Sequence, residues 1–269
     1  MEYYLLLFVL GLIGGFLAGL IGIGGGVMYV LILPYLLIKM GFPEEEIVQY
    51  TIANSLVGTF FAALSANIML FRQGKLYLKT VFVIGFFGTV VSLLLLAFFV
   101  NTPYYAVREF NIAVIILMLF IIYRALKQNF SKAEQIEKPI HLSNAAAMGL
   151  GAGTVAALSG LGGGTVIIPM LNIGFKVNMV KAKSISLGVI LISSLAATIF
   201  NLLEETRIDY QNQSQGYIVY PLALIISLGV VLGSPIGVKI ATRMNQRWIS
   251  IIFIGFVVVV IVDKLIQLI

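Results

Sequence analysis

The chain has 269 residues, 60% of them hydrophobic and 10% charged, with a net charge of +6, a mean hydropathy of +1.06 and no cysteine. Soluble domains carry about 25% charged residues, so this composition excludes an ordinary soluble protein and points to an all-α integral membrane protein. Missing cysteine excludes disulfides and thiolate chemistry, and basic residues scattered among short loops exclude a nucleic-acid-binding patch.

The first segment, MEYYLLLFVL, lacks a basic leader and carries Glu2. It reads as a membrane segment rather than a cleaved signal peptide. Residues 2–39 are apolar throughout but are broken by GIGGG at residues 22–26. A straight helix over this length would reach about 57 Å at 1.5 Å per residue. That is roughly twice the ~30 Å hydrocarbon core, so the segment is expected to bend into a hairpin at the glycines. Its second arm contains Pro34, and an acidic loop with Glu44, Glu45 and Glu46 comes next. The next span opens with Thr51, Asn54 and Ser55, and ends in a basic loop with Arg72, Lys75 and Lys79. Apolar runs at 80–100 and 111–123, separated by Glu109, close this half. None alternates apolar and polar residues as a transmembrane β-strand does. The polar stretch 127–144, which holds the single histidine, His141, leads into the second half.

There the pattern repeats. A shift of 138 positions places Gly11, Gly15, Gly22, Gly24, Gly25 and Gly26 on Gly149, Gly153, Gly160, Gly162, Gly163 and Gly164. Pro169 lies beyond the second glycine turn, and Ser184 and Ser186 open the next span. Two more apolar segments, the last covering 249–262, complete the copy. The expected organisation is a first repeat at 1–126, a linker at 127–142 and a second repeat at 143–269, each a glycine-broken hairpin plus three transmembrane helices.

Charge sets the expected topology. Four loops hold 13 of the 17 basic residues: Arg72, Lys75 and Lys79; Arg124, Lys127, Lys132 and Lys138; Lys176, Lys181 and Lys183; Lys239, Arg243 and Arg247. Basic loops stay in the cytoplasm. The other loops, carrying Glu44–Glu46, Glu109, and Glu204, Glu205 and Asp209, then face outward together with both termini. Each half crosses the cell membrane an odd number of times, so the two are inverted. Inverted repeats with broken helices are an architecture of secondary transporters, with the substrate near the midplane.

The doubled turns suggest what the substrate is. Glycine allows positive φ and close backbone approach. A helix beginning after each turn has unpaired N–H groups and a positive dipole end, and consecutive glycine amides form anion-binding nests. No acidic or basic residue stands in the middle of a predicted span, as a cation site or carboxylate relay would require. The candidate substrate residues are Gly22, Gly24, Gly25, Gly26, Thr51, Asn54, Ser55, Ser159, Gly160, Gly162, Gly163, Gly164, Thr165, Ser184 and Ser186. Glycines spaced four apart (Gly11 and Gly15, Gly149 and Gly153, and Gly229, Gly233 and Gly237) instead predict close helix packing. Asn67 and Asn201 fit either role.

The stretches GFLAGLIGIGGGVMYVLILPYL and GAGTVAALSGLGGGTVIIPML resemble the paired glycine signature of the TauE/SafE family of membrane transporters, the sulfite exporters. GVVLGSPIGVKIATRMNQRWISIIFIGFVVVVIV is similar to that family's closing segments, and FRQGKL to a short basic loop found there. The resemblance covers nearly the whole chain and implies transport of sulfur-containing anions such as sulfite, sulfoacetate or other organosulfonates. One departure stands out. Where family members often carry a Thr-Ser-Leu-like run, this chain has Ala53-Asn54-Ser55-Leu56 and Ser184-Ile185-Ser186-Leu187, which leaves the particular anion open. No cofactor or metal is expected. The partners are a small anion and the bilayer; a coupling ion, H+ or Na+, and a homo-oligomer are left open. An anion channel of the same fold is the nearest alternative. An intramembrane enzyme using Ser159 would need a base, and His141 is the only histidine.

Overall fold

The structure, a computed structural model, describes residues 2–72, 74, 77–128, 139–207, 214–241, 243–244 and 246–268. In chain order the helices are α1 (Glu2–Ile21), α2 (Gly26–Lys39), α3 (Ile47–Arg72), α4 (Leu78–Leu95), α5 (Val107–Gln128), α6 (Leu142–Ser159), α7 (Gly164–Pro169), α8 (Met179–Leu203), α9 (Tyr220–Ala241) and α10 (Gln246–Ile266). A wide turn at Leu96–Val100 extends α4, and another at Met170–Gly174 extends α7. Two short antiparallel strands, β1 (Ser214–Gln215) and β2 (Ile218–Val219), form a hairpin before α9, with Ser214 opposite Val219.

Five helical stretches among the described residues are long and apolar enough to cross a membrane: Tyr4–Ile21, Glu44–Arg72, Leu78–Val100, Met179–Leu203 and Tyr220–Ala241. The outward surface suits lipid, with Phe82, Phe86, Leu224 and Leu228 all exposed. The chain folds as an all-α membrane protein.

Two pairs of helices are locked by small residues. Gly11, Gly15 and Gly19 of α1 lie against the carbonyls of Ile226, Val230 and Ser234 of α9. In return, Gly229, Gly233 and Gly237 lie against the carbonyls of Phe8, Leu12 and Phe16. Both series ascend together, so α1 and α9 are parallel. Gly149 and Gly153 of α6 pack in the same way on the carbonyls of Ile84 and Gly88 of α4. Missing side chains let the backbones approach this closely, which is the role their four-residue spacing predicts.

The packing partners exchange between the halves. Helix α1 packs on α9 as α6 packs on α4; α3 packs on α9 as α8 packs on α4; α2 packs on α3 as α7 packs on α8; and α5 packs on α10. At the centre α3 and α8 cross antiparallel. Asn67, late in α3, donates to the carbonyl of Leu187, early in α8, at 2.9 Å. At the opposite end, Gln49 of α3 donates to Val100 O at 2.8 Å, and neighbouring Asn101 donates to Asn201 of α8 at 3.3 Å.

The loops segregate by charge. One end gathers Glu46, Tyr105, Arg207 and the β1–β2 hairpin. Glu46, on a single turn just before α3, is fully buried. Its Oε1 accepts from Arg207 N at 2.9 Å, Arg207 Nε at 3.2 Å and Tyr217 OH at 3.0 Å. Burial, reinforced by the Glu46 carboxylate, raises the Tyr217 phenol above its ordinary range, so it remains a donor. The other end gathers Lys79, Lys181 and Lys183 at the starts of α4 and α8.

Candidate functional site

Two helices stop at their glycines. Gly22 and Gly24 have φ of 84° and 82°, and Gly160, Gly162 and Gly163 have 70°, 81° and 72°. A β-carbon in this left-handed region costs about 1–2 kcal/mol, so the turns need glycine for conformation alone. The chain then resumes as α2 and α7.

The turns face each other across the crossing of α3 and α8. A β-carbon on Gly26 would meet Gly160 O at 2.5 Å and Leu161 Cα at 2.7 Å. One on Gly164 would meet Ile23 Cα at 2.9 Å. One on Gly24 or Gly162 would meet the Thr59 methyl, at 2.8 and 2.6 Å, with Ile190 next to both. Thr59 stands halfway along the 26-residue α3, and Ile190 halfway along the 25-residue α8. Both turns thus meet at the middle of the two central helices.

Serines tie each turn to the opposing half. Ser55 of α3 donates to Gly160 O at 2.9 Å, and Ser186 of α8 donates to Gly22 O at 3.0 Å. With those carbonyls occupied, the turns present amides instead. The N–H groups of Gly24, Gly25, Gly162 and Gly163 have no hydrogen-bond partner among the described residues. The buried hydroxyls of Thr51, Thr59 and Thr165 have none either. A buried unmade hydrogen bond costs about 1–3 kcal/mol. Gly24, Gly162 and Thr59 bring such groups together, which indicates a place built to receive a polar guest, whereas Thr51 lies two turns, about 12 Å, earlier on α3.

The arm ends before the turns are capped differently. Leu20 O, at the end of α1, accepts from Lys183 Nζ at 2.9 Å. Leu158 O, at the end of α6, accepts from Tyr105 OH at 2.6 Å. The stem of Lys183 also covers Gly22, whose β-carbon would lie 3.0 Å from Lys183 Cγ. No carboxylate pairs with Lys183 among the described residues. The sequence pattern assigns Lys183 to a basic loop. The structure instead starts α8 at Met179, because the Asn178 side chain accepts from Val180 N at 2.9 Å, and this carries Lys183 to the first turn. Sequence pattern also misses Thr59. Its signal is the four-residue step from Ser55, which puts both on one helical face.

The other candidate residues have different surroundings. Asn54 uses its whole amide on the hairpin and its own helix: Nδ2 donates to Tyr217 O at 3.0 Å and Tyr50 O at 2.8 Å, and Oδ1 accepts from Val219 N at 3.0 Å. Ser159 donates to Val155 O at 2.6 Å and accepts from Leu161 N at 3.3 Å. Ser184 is buried in α8 two residues before Ser186. Asn67 and Asn201 sit at helix contacts.

The meeting point is closely packed, with Thr59 and Ile190 fully buried. A cavity of about 10 Å³, lined by Leu17, Ile23, Gly24, Gly25 and Phe253 among others, adjoins the first turn. That volume holds at most about one water.

The doubled turns coincide with a family profile: sulfite exporter TauE/SafE matches residues 7–263. The chain belongs to the TauE/SafE family. A probable membrane transporter protein of Methanocaldococcus jannaschii is 30% identical over 249 residues, covering 91% of this chain and 89% of the relative. The probable membrane transporter protein YunE of Bacillus subtilis is 25% identical, covering 93% and 92%. A probable membrane transporter protein of Haemophilus influenzae is 24% identical, covering 99% of both. This TauE/SafE chain is therefore a multi-pass membrane transporter, and both its glycine turns lie within the matched region.

Proposed function

We propose that the protein is a secondary transporter for small sulfur-containing anions, sulfite or an organosulfonate, working by alternating access of two inverted halves and lacking enzymatic activity. The observation that carries this reading is the convergence of both glycine turns on Thr59 and Ile190, with unpartnered amides and the unpartnered Thr59 hydroxyl there and the Lys183 ammonium on Leu20 O at the end of the adjoining α1. Amides and hydroxyls donate to an oxyanion, and the lysine supplies charge. The antiparallel crossing of α3 and α8 supports inversion of the repeats 1–126 and 143–269. In this reading the basic end is cytoplasmic and both termini lie outside.

The burial of Thr59 and Ile190 at the meeting point favours a transporter over a channel, since a channel needs a continuous path. The chemistry of an enzyme finds little support. His141 precedes α6 and Ser159 ends it, about 27 Å apart along the helix at 1.5 Å per residue.

The test is a thermal-shift panel on purified protein with sulfite, sulfate, thiosulfate, sulfoacetate, taurine and chloride, with and without sodium and at two pH values, and then flux into liposomes. A ligand that binds the folded form raises the melting point with concentration. A selective rise and saturable flux with one sulfur anion is expected. Neither a shift nor flux with any of them would overturn the sulfur-anion reading.

A further inference from the structure

The two ends of the molecule treat equivalent space differently. Ser55 and Ser186, each bonded to the opposing turn, set a common register for α3 and α8. Counting back from Ser55 gives Asn54, Tyr50 and Glu46; counting back equally from Ser186 gives Ile185, Lys181 and Val177. The first three residues all hold the β1–β2 hairpin. Glu46 accepts from the Tyr217 hydroxyl, Tyr50 packs edge-on to its ring at 5.3 Å between centroids, and Asn54 bonds the Tyr217 and Val219 backbone. Tyr217 is fully buried there as a plug.

The second three residues line a cavity of about 640 Å³. Its other walls include Lys79 and Thr80 of α4, and Ile140 and Ala145 at the start of α6. Where one half inserts a piece of its own chain, the described residues of the other surround a space large enough for a separate molecule. Two lysines and a threonine supply the polar side, and the remaining walls are mostly apolar; none of the described residues that line it is acidic. Lys181 also lies over the Tyr77 ring, 5.2 Å from its centroid. The volume is far above the ~30 Å³ share of one water and within the usual ~300–1,000 Å³ of ligand pockets. It sits where α4, α6 and α8 all begin, at the basic end of the molecule.

We propose that this cavity binds an anionic phospholipid, its phosphate between Lys79 and Lys181 and the first part of an acyl chain against Val177, Ile185 and Ala145. Basic pockets between transmembrane helices recognise headgroups in this way. The site is separate from the glycine turns and does not depend on what is transported.

The test uses the full chain in neutral detergent, titrated with phosphatidylglycerol, phosphatidylcholine or inorganic phosphate, with thermal stability and retained lipid (by native mass spectrometry) as readouts. Phosphatidylglycerol is expected to stabilise the protein and remain bound, while phosphatidylcholine and phosphate do neither. In the double variant Lys79→Gln/Lys181→Gln the apparent affinity for phosphatidylglycerol falls about thirtyfold, the combined loss of two lysines facing an anionic lipid. Thr80→Trp keeps both lysines, narrows the cavity and is expected to block retention as well, so the outcome does not hang on the folding of the double variant. Equal retention of phosphatidylcholine, equal stabilisation by inorganic phosphate, or undiminished phosphatidylglycerol binding in either variant would overturn the proposal.

Discussion

The first glycine turn ends an arm capped by a lysine; the second ends an arm capped by a tyrosine. The backbones are otherwise close relatives: Gly22 and Gly160 both take positive φ, as do Gly24 and Gly162, and each turn receives a serine from the opposing half. They diverge at the next glycine, where Gly25 has φ −68° and Gly163 +72°. The helices they start differ too, a 14-residue α2 against a 6-residue α7 that widens into its extra turn. Shared backbone with different charge means that a guest between the turns meets similar amides from both halves but an ammonium from one side only. In the proposed orientation that side is the cytoplasm.

The largest effect is expected from removing what the turns have in common. Gly24→Ala and Gly162→Ala each drive a methyl toward Thr59 and force an alanine into the left-handed region, a strain of about 1–3 kcal/mol. Both should abolish the sulfite-induced thermal shift and flux while the protein still inserts. Gly25→Asp and Gly163→Asp should do the same by another route, because their β-positions run into the carbonyls of Gly14 and Ala152 and add an anion. Unchanged binding in all four variants would sink the glycine site.

Next comes the difference itself. Lys183→Gln removes one charge-assisted interaction, worth about 1.5–3 kcal/mol, and should weaken anion binding by about ten- to a hundredfold. Lys183→Arg should restore most of it. An equal loss in both variants would mean that the lysine merely caps α1.

Ser55→Ala and Ser186→Ala probe the symmetry. Each deletes one hydrogen bond to a turn carbonyl and should cost about 0.5–1.5 kcal/mol of stability. Matching losses support equivalent halves, and a one-sided loss would assign the turns different structural weight.

Tyr105→Phe leaves Leu158 O without its donor and should cost a similar amount, about 1 kcal/mol. Burial raises the Tyr105 phenol, with Glu109 adding to the effect. A raised acid favours the folded state below the unfolded phenol pKa of about 10 and loses that advantage as pH climbs beyond it. Wild-type stability should therefore fall above about pH 10, with part of that fall absent in the phenylalanine variant. Melting curves from pH 7 to pH 11 would show it.

Local chemistry was enough to read much of this molecule from its sequence. A run too long for one span must bend, and GIGGG marks where. Asn54 shows the limit of such reading. A buried amide has to find partners, but nothing local says that they are the backbone of Tyr217 and Val219, 163 and 165 residues away. The sequence by itself determined the membrane, the breaks and the doubling, because apolar length, glycine and repetition are properties of neighbours along the chain. Only the tertiary structure decided that both turns close on Thr59, that Lys183 reaches Leu20, and that Tyr217 fills one end while Lys79 and Lys181 frame a cavity at the other. Those contacts depend on how α3 and α8 cross, which the pattern of either helix alone does not encode.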